Sequence, residues 1–155
     1  MKALVQRVSE ARVVVEGATV SEIRAGLLLY LACERGDDLS RARTLAERVL
    51  AFRIFADEGG RMSKSLLDVG GELLVVSQFT LAAELSRGRR PDFTTAMPSS
   101  DAHSLVDAFV AFCTEKLPVR CGLFGADMRV GSVNDGPVTF LLEEPKARRP
   151  SGRSA

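Results

Sequence analysis

Ser77-Gln78-Phe79-Thr80 sets two hydroxyls and a carboxamide at the end of the apolar run Leu73-Leu74-Val75-Val76. A hydroxyl attacks an ester usefully only when a base stands beside it and a third group orients that base. The chain contains a single histidine, His103. A Ser77, His103, Asp101 triad can be written down, but nothing in the spacing supports it, and the Gly-x-Ser-x-Gly elbow of α/β-hydrolases is absent. Without a positioned base, Ser77 and Thr80 remain slow nucleophiles at their ordinary pKa.

A second motif, Asn134-Asp135-Gly136-Pro137-Val138-Thr139, interrupts what would otherwise be a continuous strand pattern. Only X-Pro bonds reach cis cheaply, at about 0.5–1 kcal/mol, and a cis Gly136-Pro137 bond would hold two main-chain carbonyls side by side. Such a pair can grip a cationic group with no side chain involved. The motif read alone is equally a turn, with Asn-Asp-Gly reversing the chain and Pro137 opening the next strand.

The elements that must position these residues follow from periodicity. Ala3–Val8, Val13–Glu16, Thr19–Ile23 and Leu27–Cys33 read as strands, with Gly17 and Gly26 at turns. Ser40 is placed to cap a helix whose apolar positions Ala42, Leu45, Ala46, Val49 and Leu50 recur at helical spacing, with Arg53 at its close. Glu72–Gln78 forms the next strand, and a polar loop rich in arginine runs from Ala82 to Ser99. Ser99 or Ser100 caps a second helix with Leu105, Ala108, Phe109 and Phe112 on its buried face, ending before Pro118. Asp127–Val133 and Val138–Leu142 flank the Gly-Pro motif as strands. The sum is one α+β unit, a largely antiparallel sheet with two main helices packed on one face, spanning residues 1–144. The tail Pro145–Ala155 has few apolar residues to pack and is expected to be disordered.

A chain of 155 residues suits one core. Its hydrophobic share is 46% and its charged share 26%, ordinary for a globular domain, and no apolar run approaches the ~20 residues of a membrane span. No signal peptide is visible, so a cytoplasmic location is expected. Cys33, Cys113 and Cys121 have no close pairing in sequence, which argues against a disulfide framework or a metal site, and Cys33 and Cys113 read as small core residues. Neither Gly-x-Gly-x-x-Gly nor a Walker A loop occurs, so no cofactor is expected. The net charge of +1 announces no nucleic-acid partner through a global field, and any phosphate binding must be local. Two basic patches qualify, Arg87, Arg89 and Arg90 in the loop, and Lys146, Arg148, Arg149 and Arg153 in the tail; each is equally a solvated face or end.

Taken together, Ser77-Gln78-Phe79-Thr80-Leu81 and Asn134-Asp135-Gly136-Pro137 resemble the D-aminoacyl-tRNA deacylases. Gln6-Arg7-Val8, Arg53-Ile54-Phe55, Arg87-Gly88-Arg89-Arg90-Pro91 and Gly125-Ala126-Asp127-Met128 fall in that family's order. The resemblance covers residues 1 to about 144. It implies a barrel-like sheet, a homodimer, and hydrolysis of the ester joining a D-amino acid or glycine to the 3′-terminal adenosine of tRNA, with DNA and membranes excluded as partners. It implies further that the free 2′-hydroxyl of the terminal ribose activates the attacking water. Phe79 and Thr80 would then supply main-chain N–H donors to the oxyanion. Gly136 and Pro137 of one subunit would enter the other's pocket and screen handedness, steadied by Arg7 and supported by Asn134 and Met128, while Ala102 meets the adenine. Ser63 stands where the family generally has Asn, and Gly131-Ser132 replaces a more apolar pair. Two alternatives share these residues: a paralogue with a trans Gly-Pro bond that accepts L-aminoacyl-tRNA, and a catalytically silent RNA-binding protein.

Overall fold

A computed structural model describes residues 1–144; the segment Pro145–Ala155, expected to be disordered, lies outside the described residues. Strand β1 (Lys2–Val15) runs unbroken where the sequence reading placed two strands. Ser9, Glu10 and Arg12 interrupt the apolar alternation, but the strand runs on through a register shift between Val8 and Glu10, and Glu10 and Arg12 still pair with a neighbouring strand. Glu16 (φ 50°) and Gly17 (φ 82°) then form the turn into β2 (Ala18–Ile23), with the positive φ values that suit a twisted hairpin. Glu16 is therefore a turn residue rather than the end of a strand. Next comes β3 (Gly26–Ala32), a nearly continuous apolar run buried on both faces.

Helix α1 (Leu39–Ala51) buries Ala42, Leu45, Ala46, Val49 and Leu50, as the spacing predicts. Its cap is Asp38 instead of Ser40, because the Asp38 carboxylate accepts the Arg41 amide at 2.9 Å. A small hairpin, β4 (Phe55–Ala56) and β5 (Met62–Lys64), and a single helical turn α2 (Leu66–Val69) lead to β6 (Glu72–Ser77). In this hairpin Ser63 donates its hydroxyl to Asp57 at 2.7 Å, and that bond is the leading reason the Asp57 carboxyl sits below its usual range.

After a 3₁₀ turn at Phe79–Ala82 and an irregular loop, α3 (Ser99–Thr114) leads to β7 (Val119–Cys121) and β8 (Arg129–Glu143). The residue before α3 is Pro98, which offers no side-chain cap, and Ser99 and Ser100 lie inside the first turn. The buried stripe of α3 is Leu105, Val106, Phe109 and Cys113. Phe112 is instead half-buried beneath the Arg43 guanidinium, 4.2 Å from the ring centre.

One edge of β1 pairs with β3 and then β2, and its other edge pairs with β8 along nearly its full length, all antiparallel. β6 adds to β3 and β7 adds to β6 in parallel. Those additions require crossovers, which the segments carrying α1 and α3 provide. The result is an α+β fold with a nearly closed, barrel-like sheet. Inside the curl, Val8, Ala11, Val13 and Ile23 pack on Leu28, Leu74 and Val76. On the other face, β-sheet residues such as Val5, Leu29 and Leu73 meet Leu45, Val49 and Phe109 of the helices. Cys33 and Cys113 are buried there, as expected.

The chain start is part of this layer. Met1 is fully buried, and its ammonium lies 2.7 Å from the Asp37 carboxylate and 3.5 Å from Glu34. Asp37 also accepts the Glu34 amide at 2.7 Å. Breaking a buried pair by removing one partner strands the other charge. Asp37→Ala is therefore expected to lower unfolding stability by about 3 kcal/mol in urea titrations, whereas replacing exposed Glu58 by Ala leaves the midpoint nearly where it was.

Candidate functional site

β6 delivers Ser77 to the end of the sheet, and the chain turns immediately. The Gln78 N–H still reaches the Leu31 carbonyl on β3 at 2.8 Å, while its carboxamide donates to the Thr80 hydroxyl at 2.5 Å. In the 3₁₀ turn that follows, the first bond runs from the Leu81 N–H to the Gln78 carbonyl at 3.2 Å. The amides of Phe79 and Thr80 precede that ladder, as the first donors of any helical turn must.

A cleft of about 640 Å³ opens beside this turn. Ser77, Gln78, Phe79, Ala102 and Met128 line it, so the structure gathers five of the residues singled out in sequence. Thr80 is exposed next to the cleft and is not among its lining residues. Residues that the sequence reading did not single out complete the wall: Arg35, Phe93, Met97 and Phe124. Phe93 sits in an irregular loop without periodicity, and only its ring contact with Phe79, 5.0 Å between centres, reveals its place.

The Ser77, His103, Asp101 triad is not assembled. His103 lies on the exposed side of α3, 3.7 Å from Asp107, and its ring stacks on Phe124 with centres 4.3 Å apart. Asp101 instead faces the Ser100 hydroxyl at 3.5 Å. Cys33 lines the cleft, but burial above all, reinforced by the Asp37 charge, pushes its thiol up to about 12. At neutral pH it is a thiol and no nucleophile. Among the described residues no three His, Cys, Asp or Glu side chains gather closely enough to share a metal ion.

Gly136 and Pro137 stand elsewhere. They are exposed, they do not line the cleft of their own chain, and the bond between them is cis. β8 continues on both sides of the motif as one strand, where the sequence reading separated two. Its register against β1 slips at Val8, opposite Asn134. The tip is braced from both flanks. Arg7 donates through Nε to the Asp135 carbonyl at 2.9 Å and through Nη1 to the Ile54 carbonyl at 2.6 Å. Asn134 accepts the Val138 amide at 2.7 Å and donates to the Thr139 hydroxyl at 3.0 Å. Gly136 has a φ of 156°, and a Cβ there would meet Val138 N and Cγ2 at 2.6 Å, so only glycine fits. Gly131 carries no such constraint, and the Arg12 side chain lies above it.

A family model described as D-Tyr-tRNA(Tyr) deacylase matches residues 4–143. A D-aminoacyl-tRNA deacylase of Geotalea uraniireducens (strain Rf4) is 52% identical over 155 residues, which is 99% of this chain and 100% of the relative. One from Shewanella pealeana (strain ATCC 700345 / ANG-SQ1) is 53% identical over 144 residues, covering 92% and 99%. The solved structure of a c-Myc DNA unwinding element binding protein superposes with a TM-score of 0.90 at 39% identity, over 94% of this chain and 100% of that one. A probable eukaryotic D-amino acid tRNA deacylase shares the fold at 17% identity, with a TM-score of 0.79 over 91% and 97%. With a family match along nearly its whole length and relatives at this identity, the chain belongs to the D-aminoacyl-tRNA deacylase family of hydrolases.

Proposed function

We propose that the cleft receives the 3′-terminal adenosine of a D-aminoacyl-tRNA and that the substrate supplies the chemistry the side chains lack. The observation that carries this reading is the composition of the cleft wall. It offers the Ser77 hydroxyl, the Gln78 side-chain carboxamide, nearby main-chain N–H groups and apolar faces, with a protonated Cys33 and with His103 outside it. The Phe79 and Thr80 amides stabilise the developing oxyanion, the free 2′-hydroxyl of the terminal ribose activates the attacking water, and Ala102 contacts the adenine. Orientation and fixed donors are worth several kcal/mol without a titrating residue. The location follows from the substrate, which belongs to the cytoplasm.

Handedness is read by Gly136 and Pro137. These residues are exposed and lie away from the cleft of their own chain, so the reading requires a second subunit whose tip enters it. Main-chain carbonyls there receive the α-ammonium, and the rigid backbone fills the space an L side chain would need. Each factor of ten in rejection needs about 1.4 kcal/mol, so a conflict of a few kcal/mol suffices. Glycine has nothing to exclude and is accepted, as on mischarged glycyl-tRNA. Met128 and Asn134 support the two halves from within the wall and the tip.

The direct test is release of free amino acid from D-tyrosyl-tRNA. Retention of the ester while the tRNA stays bound would instead favour a silent RNA-binding protein. The same ester on a 2′-deoxy terminus is expected to be nearly inert. Thr80→Ala should lose less than about tenfold in kcat, because a residue acting as nucleophile or base would cost about 10²–10⁴-fold. Arg7→Ala removes two charge-assisted bonds to carbonyls and should weaken the preference for D- over L-tyrosyl-tRNA at least about tenfold. Unaltered preference in a folded, dimeric Arg7→Ala protein would refute the assignment of the tip.

A further inference from the structure

Among the described residues, Arg35 is the only lysine or arginine that lines the cleft. Its Nε donates to the Thr94 carbonyl at 2.8 Å, and its amide donates to the Thr95 carbonyl at 2.9 Å. Among the described residues no carboxylate lies within ion-pair reach of it. One edge of the guanidinium is thus spent on fixing the fork, and the terminal nitrogens remain at the cleft rim. A held guanidinium with free N–H groups is a receptor for a phosphate oxygen pair.

The loop that Arg35 holds carries the other unabsorbed cations. Its stems both belong to the cleft, Phe79 before it and Phe93, Ala96 and Met97 after it. Thr95 donates its hydroxyl to the Ala82 carbonyl across the base, and the Met97 N–H bonds the Cys33 carbonyl at 3.1 Å. Further out, Glu84 and Asp92 exchange main-chain bonds of 2.7 and 3.1 Å, closing a tip that bears Arg87, Arg89 and Arg90. The acidic residues of the loop stay at its neck, occupied by amides: Glu84 accepts the Ser86 N–H and Asp92 the Thr94 N–H, both at 2.8 Å. Positive charge therefore runs outward from the cleft along one loop of a chain whose net charge is only +1.

We infer that this loop is the track for the sugar-phosphate backbone leading into the cleft. Arg35 takes the phosphodiester on the 5′ side of the terminal adenosine, and Arg87, Arg89 and Arg90 take phosphates further along the acceptor end. This rests on the proposed placement of the adenosine and adds what lies beyond it. Phosphate contacts of this kind position a nucleic acid without reading its sequence, and they announce themselves in salt dependence.

The test compares two substrates, D-tyrosyl-tRNA and the D-tyrosyl ester of free adenosine, which has no phosphate. For Arg35→Gln the ratio of kcat/KM on tRNA to kcat/KM on the adenosine ester should fall about tenfold. The slope of log KM for tRNA against log salt should become shallower by about 1, and by about 2–3 for the triple variant Arg87→Gln, Arg89→Gln, Arg90→Gln. The triple variant leaves the Arg35–Thr94 brace in place, so it reports on the track even if Arg35→Gln disorders the loop. An equal fall on both substrates for Arg35→Gln, together with a wild-type salt slope in the triple variant, would overturn the inference. Failure of the wild-type protein on both esters would count against the adenosine placement itself.

Discussion

Arg7 binds two main-chain carbonyls from distant parts of the sequence, Ile54 behind α1 and Asp135 in β8. The geometry of the Gly-Pro tip depends on that shared guanidinium. Arg7 sits on β1, opposite Leu27 of β3, so the brace reaches from the centre of the sheet to an exposed tip. A planar fork can serve two acceptors in fixed directions, which a lysine ammonium on a flexible stem cannot do as well. Where β8 slips its register against β1, ladder bonds no longer hold the chain, and Arg7 and Asn134 replace them.

The molecule separates the cleft from the Gly-Pro tip. The cleft lies where β6 ends and the 3₁₀ turn begins, while the tip of β8 projects at a place the same chain's cleft does not reach. In the proposed arrangement the separation is useful, because each half can be built to its own requirement. The cleft needs main-chain donors at the mouth of a helical turn and apolar walls. The tip needs rigidity and no side chain, which Gly136 meets through its crowded contact with Val138.

Much of this was legible in the sequence, and the reasons for the rest are local. The core of α1 followed from helical spacing because its buried residues Ala42, Leu45, Ala46, Val49 and Leu50 all lie on one face. α3 was harder: it packs against α1, β7 and the cleft wall, and its buried stripe moved from Ala108 and Phe112 to Val106 and Cys113. The polar middle of β1 reads as a break between two strands, yet the main-chain pairing with β8 that resumes at Glu10 needs no apolar side chain. The motifs Ser77–Thr80 and Asn134–Pro137 were visible as departures from strand pattern, since hydroxyls, glycine and proline at strand ends are informative in themselves. Arg35, Phe93 and Phe124 were not, because their roles arise from loops folding onto one another. No period marks such a contact.

In the proposed reaction a cleft without an activated side chain must be exact in position instead, and the loop after β6 supplies bonds that would fix it. The 3₁₀ turn that presents the Phe79 and Thr80 amides is tied at Ala82 to Thr95, and Phe79 rests on Phe93. The same strands of loop are anchored through Met97 to Cys33 and through Arg35 to Thr94 and Thr95. Cys33 in turn lies against the layer that holds Met1 and Asp37, whose charge helps keep the thiol neutral. The wall of the cleft is therefore continuous with the core rather than laid over it. Preorganised donors act only if they do not relax away from the developing charge. Here the groups that would have to relax are bonded, through two or three steps, to the most deeply buried part of the fold.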